Sequence, residues 1–196
     1  MIREEKIGTQ CSSCCRPFET TACSLVNVAG DPELKQRVLS GEFFVQECPY
    51  CGHKEVLHRP FVYIDPDQKL LLMLSHDSVK VDDLNGFTGR WTDSAGELME
   101  KILVFDAGLD DLVVEMCKYV TCQELKKDVT LKFVRMDGAD NEITFTYPEK
   151  GEMQMVCVGF NVYEDCAAIL GRHPEINEAA RGMVHLDAAW LSDYIG

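Results

Sequence analysis

The chain has 196 residues and a formal net charge of −14, with hydrophobic residues at 46% and charged residues at 27%. That balance describes an ordinary soluble protein able to bury a sizeable core, and no apolar run approaches the ~20 residues of a spanning helix. Residues 1–60 carry seven Lys/Arg against eight Asp/Glu, and residues 61–196 twelve against twenty-five. So acidic a chain is a poor non-specific binder of nucleic acid, whose affinity is dominated by phosphate attraction.

The amino terminus, Met-Ile-Arg-Glu-Glu-Lys, lacks the apolar core of a secretory signal. Residues 1–10 read as a lead strand or flexible segment. Cys11-Ser12-Ser13-Cys14 follows as a first cysteine knuckle, with Cys15 competing with Cys14 as the partner of Cys11. Phe18–Ala29 contains Ser-Leu-Val-Asn-Val and predicts a strand. Asp31-Pro32-Glu33 opens a helix as N-cap, first helical residue and early acid, and Gly41 signals its end after Leu39. Phe43–Glu47 predicts a strand into a second knuckle, Cys48-Pro49-Tyr50-Cys51-Gly52-His53, and Glu55–His58 a strand out of it.

Phe61–Ile64 and Lys69–Leu74, separated by Asp65-Pro66-Asp67-Gln68, predict a hairpin. Ser75–Arg90 is polar and carries no assignment; its Asp82-Asp83 pair lacks the ligand spacing of a calcium loop. Ser94-Ala95-Gly96-Glu97 is a capping box opening a helix through Leu98 and Ile102. Leu109, Leu112, Val113, Met116 and Val120 recur at helical intervals, which places Asp110, Asp111 and Glu115 on other faces of a core-packing helix. Val129–Arg135 and Ile143–Tyr147 alternate as strands around a turn at Asp137-Gly138-Ala139-Asp140-Asn141, and Met153–Phe160 extends the sheet. Glu164–Leu170 and Glu175–Arg181 read as helices, and Asp187 caps a last one through Trp190 and Leu191.

The two knuckles, 33 residues apart, carry the clearest chemistry. Zinc takes four ligands at tetrahedral corners with sulfurs ~2.3 Å away, and two intervening residues bring two thiolates to one side of a tight turn. In the second knuckle Pro49 fixes φ, and Gly52 can adopt φ > 0 and aim its amide at a sulfur. Cys11, Cys14, Cys48 and Cys51 are therefore the candidate metal ligands. Four sulfurs leave no open position for water or substrate, so such a zinc is structural. His53 and His58 lie close enough in sequence to substitute as ligands, but with four cysteines completing the shell His53 reads as a residue outside it.

With Val26-Asn27-Val28, Asp31-Pro32-Glu33-Leu34-Lys35, Leu39-Ser40-Gly41 and Tyr63-Ile64-Asp65, the knuckles make the chain resemble the bacterial and archaeal CpXC domain proteins over roughly residues 9–135. The resemblance implies a metal-binding domain using Cys11, Cys14, Cys48 and Cys51, and it implies no activity. Ser12 departs from it, standing where the pattern has Pro.

The expected fold is α+β: a zinc-ribbon-like module with its hairpin over residues 1–74, and an acidic mixed helix and antiparallel-sheet portion over residues 75–196, packed with it as one compact unit. Cys117, Cys122, Cys157 and Cys166 read as buried free thiols, and a second site gathering some of these with Cys15 or Cys23 stays open. P-loop, GxGxxG, GxSxG and HExxH motifs are absent. The leading expectation is a cytoplasmic protein with a structural zinc site, no nameable enzymatic activity, and an interaction or regulatory role through protein partners, without membrane. Two alternatives remain: an enzyme whose pocket in the acidic half gathers His76, His173 or His185 with carboxylates, and a thiol redox switch.

Overall fold

A computed structural model describes residues 1–139 and 141–195. The fold is α+β, with mixed and antiparallel sheets and helices. Its contacts divide into two units, Met1–Leu98 and Met99–Gly196. The division falls later than residue 74 because a strand at Thr88–Thr92 pairs back onto the amino-terminal sheet.

In the first unit, β1 (Ile2–Gln10) and β2 (Pro17–Asn27) form a long antiparallel hairpin whose turn is the first knuckle. The helix α1 (Pro32–Leu39) starts as expected: the Asp31 carboxylate accepts from the Leu34 N–H at 3.0 Å, and Pro32 occupies the first turn. Leu34 and Val38 form its buried stripe. Phe43 and Phe44, expected in a strand, belong instead to a 3-10 turn over Glu42–Phe44. Its edge-on contact places Phe44 against Phe61 at 4.9 Å between ring centroids, so burial of two adjacent rings overrides strand alternation. Then β3 (Val45–Glu47) and β4 (Lys54–Val56) make a short ribbon around the second knuckle.

The hairpin of β5 (Phe61–Asp65) and β6 (Leu70–Leu74) forms as predicted and turns Phe61, Tyr63, Leu70, Leu72 and Leu74 into the core. The unassigned segment contributes β7 (Thr88–Thr92), parallel to β6. Through this unit the strands run β1-β2-β5-β6-β7, with β2 and β5 also parallel. Parallel neighbours require a crossover, and the one between β2 and β5 holds α1 and the β3–β4 ribbon. Asp65 sits buried at the hairpin turn, 2.9 Å from Lys35 Nζ, with the amides of Asp67 and Gln68 donating to it. Asp83 accepts from the Asn85 N–H in an exposed turn.

The helix α2 (Ala95–Asp106) opens on the predicted capping box, Ser94 Oγ accepting from the Glu97 N–H at 3.3 Å, and runs on into the second unit. There α3 (Asp111–Leu125) packs on α4 (Phe160–Leu170) and α6 (Ala188–Ile195). The strands β8 (Lys132–Asp137), β9 (Glu142–Glu149) and β10 (Glu152–Gly159) form an antiparallel meander. Phe160 begins α4 rather than ending a strand. The short helix α5 (Pro174–Ala179) precedes α6, whose first turn is held by Asp187 accepting from the Trp190 N–H at 2.7 Å. Of the turn predicted between β8 and β9, Asp140 lies outside the described residues. The core gathers Leu112, Val113, Met116, Phe133, Ile143, Phe145, Leu170 and Leu191.

Asp111 and Glu115 do not face solvent; they are buried, as are Glu100, Lys101 and Lys118. Lys101 Nζ reaches Asp111 at 3.1 Å, Glu115 at 3.3 Å and the Leu186 carbonyl at 2.9 Å. Lys118 Nζ reaches Glu100 at 2.6 Å and Glu115 at 2.9 Å, while Glu100 also accepts from the Phe133 N–H. Buried charges persist when paired and hydrogen-bonded. Burial works against the Lys118 cation, but Glu115 and Glu100 more than offset it and hold its pKa above the usual lysine value.

Candidate metal centre

Each knuckle is the turn of one hairpin, and both close by the same backbone bonds. Cys11 N–H donates to Arg16 O at 3.1 Å and Cys15 N–H to Cys11 O at 2.9 Å; Cys48 N–H donates to His53 O at 2.9 Å and Gly52 N–H to Cys48 O at 2.9 Å. Residue for residue, Cys11-Ser12-Ser13-Cys14-Cys15 matches Cys48-Pro49-Tyr50-Cys51-Gly52. The match extends to conformation, for Gly52 has φ 70° and Cys15 has φ 57°. Both are left-handed, the region glycine enters freely and other residues do not.

This equivalence separates Cys14 from Cys15. Cys15 is the turn residue and is exposed, whereas Cys14 is drawn into the sulfur group. The Gly52 amide, expected to aim at a sulfur, is committed to Cys48 O; a hydrogen bond to sulfur comes instead from the Cys14 N–H, which donates to Cys11 Sγ at 3.5 Å.

The structure brings Cys11, Cys14, Cys48 and Cys51 together, all four Sγ atoms lying within 4.8 Å of one another. Cys11 Sγ is 3.6 Å from Cys51 Sγ, and Cys14 Sγ is 3.7 Å from Cys48 Sγ. A tetrahedron with metal–sulfur bonds of ~2.3 Å has edges of ~3.8 Å, so both separations fit a four-sulfur site. Cys11 and Cys48 are buried against Phe18, while Cys14 is half-buried and Cys51 exposed. Four such sulfurs can hold a metal ion.

The electrostatics agree with that capacity. Burial works against ionising Cys48, but the amides of Tyr50 and Cys51 and the thiols of Cys51 and Cys14 bring it down to about 7. The His53 amide favours ionised Cys51, yet burial and the thiols of Cys11, Cys14 and Cys48 push it up to about 12. For Cys14, too, the Arg16 amide is outweighed and the value rises, chiefly through burial and the thiols of Cys48 and Cys11. Sulfurs this close resist accumulating negative charge by themselves, and a cation among them removes the conflict.

Two contacts around the knuckles escaped the sequence reading. Arg16 lies over the Tyr50 ring at 5.3 Å. Glu55 on β4 accepts from Gln46 Nε2 on β3 at 2.8 Å. The only advance signal was register: Gln46 and Glu55 fall opposite each other once the knuckle closes the ribbon.

The remaining candidates are dispersed. His53 is exposed and contributes backbone rather than its ring to the knuckle. His58 and His76 are exposed neighbours with ring centroids 6.1 Å apart. His173 pairs with Glu175 at 2.9 Å on the surface of the second unit, and His185 is half-buried in that unit. Cys117 and Cys166 are buried as expected and Cys23 is buried as well, but Cys157 is exposed because it lies on the open face of β10, and Cys122 is half-buried. Among the described residues neither His53, His58, His76 and His173 nor Cys15, Cys23, Cys117, Cys122, Cys157 and Cys166 joins a group of three or more metal-capable side chains. No described helix is long and apolar enough to cross a membrane.

No curated protein and no solved structure matches the chain. The model of the CpXC protein family matches residues 9–118, from the lead into the first knuckle to the middle of α3. The paired knuckles thus lie wholly within the matched span, and the chain belongs to the CpXC family.

Proposed function

We propose that Cys11, Cys14, Cys48 and Cys51 hold one zinc ion as a closed tetrathiolate, and that this zinc is structural. The supporting observation is the convergence of four sulfurs at separations that match a tetrahedron of zinc–sulfur bonds. Zinc would supply the cross-link between the β1–β2 and β3–β4 hairpins. Its binding free energy would then be folding free energy for the ribbon, as in small zinc modules. A shell filled by four protein sulfurs leaves no place for an activated water, which favours an interaction or regulatory role in the cytoplasm, through protein partners, over catalysis at the metal.

Elemental analysis of protein purified without added metal tests this reading. One zinc per chain is expected, and the Cys48→Ser/Cys51→Ser variant should lose both the zinc and the order of the first unit. A wild type that folds fully without metal would overturn it. Thiol titration separates the redox alternative: zinc-bound thiolates become reactive once a chelator is added, whereas a disulfide needs reductant.

A further inference from the structure

Among the described residues β1, β8 and β10 each end a sheet with one side unpaired, β1 in the first unit and the other two in the second. Such edges are templates for another strand, and proteins blunt them with charges, prolines or bulges. The strand β1 carries Arg3, Glu4, Glu5 and Lys6 in succession. In β8 stand Lys132, Arg135 and Asp137, and a bulge between Phe133 and Arg135 breaks the register. None of these devices protects β10. Its register with β9 runs unbroken from Glu152 to Gly159, and its one charge, Glu152, is its first residue.

The apolar residues of β10 are the ones that address this free edge. Phe160 N–H donates to Asn141 O at 2.8 Å, which fixes the phase of the ladder. Gln154, Val156 and Val158 exchange bonds with β9, while Met153, Met155 and Cys157 aim N–H and C=O outward. Pro148, which has no N–H to give, falls opposite Met153, as that phase requires. The same three residues share one face of the strand, and all are exposed, Met153 at 62% and Met155 at 71%.

We propose that β10 pairs with β10 of a second copy, antiparallel about a two-fold axis at Met155, so that the two meanders become one continuous sheet. Met155 then lies opposite the partner's Met155, and Met153 opposite the partner's Cys157. Each such pair exchanges both its N–H···O bonds, and the patch complements itself as a two-fold interface must. Other registers lose extended partners. A shift one way sets Val158 against Lys150, which is left-handed in the β9–β10 turn, and the other way sets Glu152 against Phe160, which belongs to α4.

Charge favours a second copy as the occupant. Two chains of net charge −14 repel over most of their surface, but here Glu152 meets the partner's Val158. The two Glu152 residues stand ~20 Å apart along the ribbon by strand rise, beyond the ~8–10 Å over which salt screens charge. An edge without charge at its centre selects no charged foreign strand, whereas its own copy matches it pair by pair. The proposal is independent of the metal reading, since β10 lies in the second unit.

Sedimentation velocity of the full chain at rising concentration, together with amide exchange resolved by residue, tests it. A species of twice the 22.1 kDa chain mass should grow in with concentration, and exchange at Met153, Met155 and Cys157 should slow in step. The amides of Gln154, Val156 and Val158, already bonded to β9, should be protected throughout. Added salt should strengthen the dimer by screening the repulsion between the copies. Met155→Lys sets like charges side by side at the axis and should leave a monomer whose circular dichroism matches the wild type. Met153→Lys, off the axis, should weaken the dimer as well. A wild type that stays monomeric up to its solubility limit would overturn the proposal. So would a dimer that survives Met155→Lys, or one in which those three amides exchange freely.

Discussion

The equivalence of Cys15 and Gly52 makes a prediction in which sequence intuition and geometry disagree. Removing a cysteine from a five-cysteine cluster ordinarily threatens the metal. Here Cys15→Gly should leave it in place and stabilise the first unit. A left-handed backbone costs a non-glycine residue about 1–2 kcal/mol, and Cys15 bears that at φ 57°. Glycine relieves it while returning about 0.4–1 kcal/mol to the unfolded chain as entropy. The net gain is about 0.5–1 kcal/mol. Gly52→Ala runs the argument in reverse. A Cβ at Gly52 would meet Glu47 Oε1 no closer than 3.9 Å, so no clash arises, and the cost of φ 70°, less the entropy that alanine removes from the unfolded chain, sets a loss of about 0.5–1 kcal/mol. Urea unfolding of the zinc-loaded proteins, followed by circular dichroism, measures both. Cys14→Ser supplies the contrast, since it should release zinc. Loss of zinc from Cys15→Gly, or its destabilisation relative to wild type, would refute the matching of the knuckles.

Further expectations concern burial and charge. Lys118→Met leaves Glu100 buried without its cation and Glu115 with Lys101 alone, so the second unit should lose about 3–5 kcal/mol in urea unfolding; a change below about 1 kcal/mol would contradict the buried network. Asp110→Ala removes the cap that accepts from the Leu112 and Val113 amides and should cost about 1 kcal/mol by the same assay. Burial opposes the ionised Asp65 carboxyl, yet Lys35, the Gln68 amide and Tyr63 hold its pKa below the usual value. Its stabilisation is therefore present above about pH 3.9 and lost as pH falls through the lower folded value. Lys35→Met should move that loss to higher pH, and overlapping profiles of stability against pH in the two proteins would count against the pair.

Local signals were legible in the sequence. The cap and first turn of α1, the capping box of α2, the β5–β6 hairpin and the metal knuckles each depend on residues within a few positions of one another. Elements set by distant partners were not. Thr88-Gly89-Arg90-Trp91-Thr92 lacks an apolar alternation and is a strand because β6 lies beside it. Asp111 and Glu115 look like the outer face of a helix until Lys101 and Lys118 are placed against them. At the metal centre, the four ligand candidates followed from CxxC spacing, but the role of Cys15 required its φ. The packing of Arg16 on Tyr50 depends on how two hairpins meet, which periodicity does not encode.

The central claim is a closed four-sulfur zinc site, and X-ray absorption at the zinc edge of the purified protein tests it most directly. The account predicts a single shell of four sulfurs at about 2.3 Å with no nitrogen or oxygen neighbour. A shell of three sulfurs completed by nitrogen or by oxygen from water would contradict it, because the zinc would then be open or held by a residue outside the two knuckles.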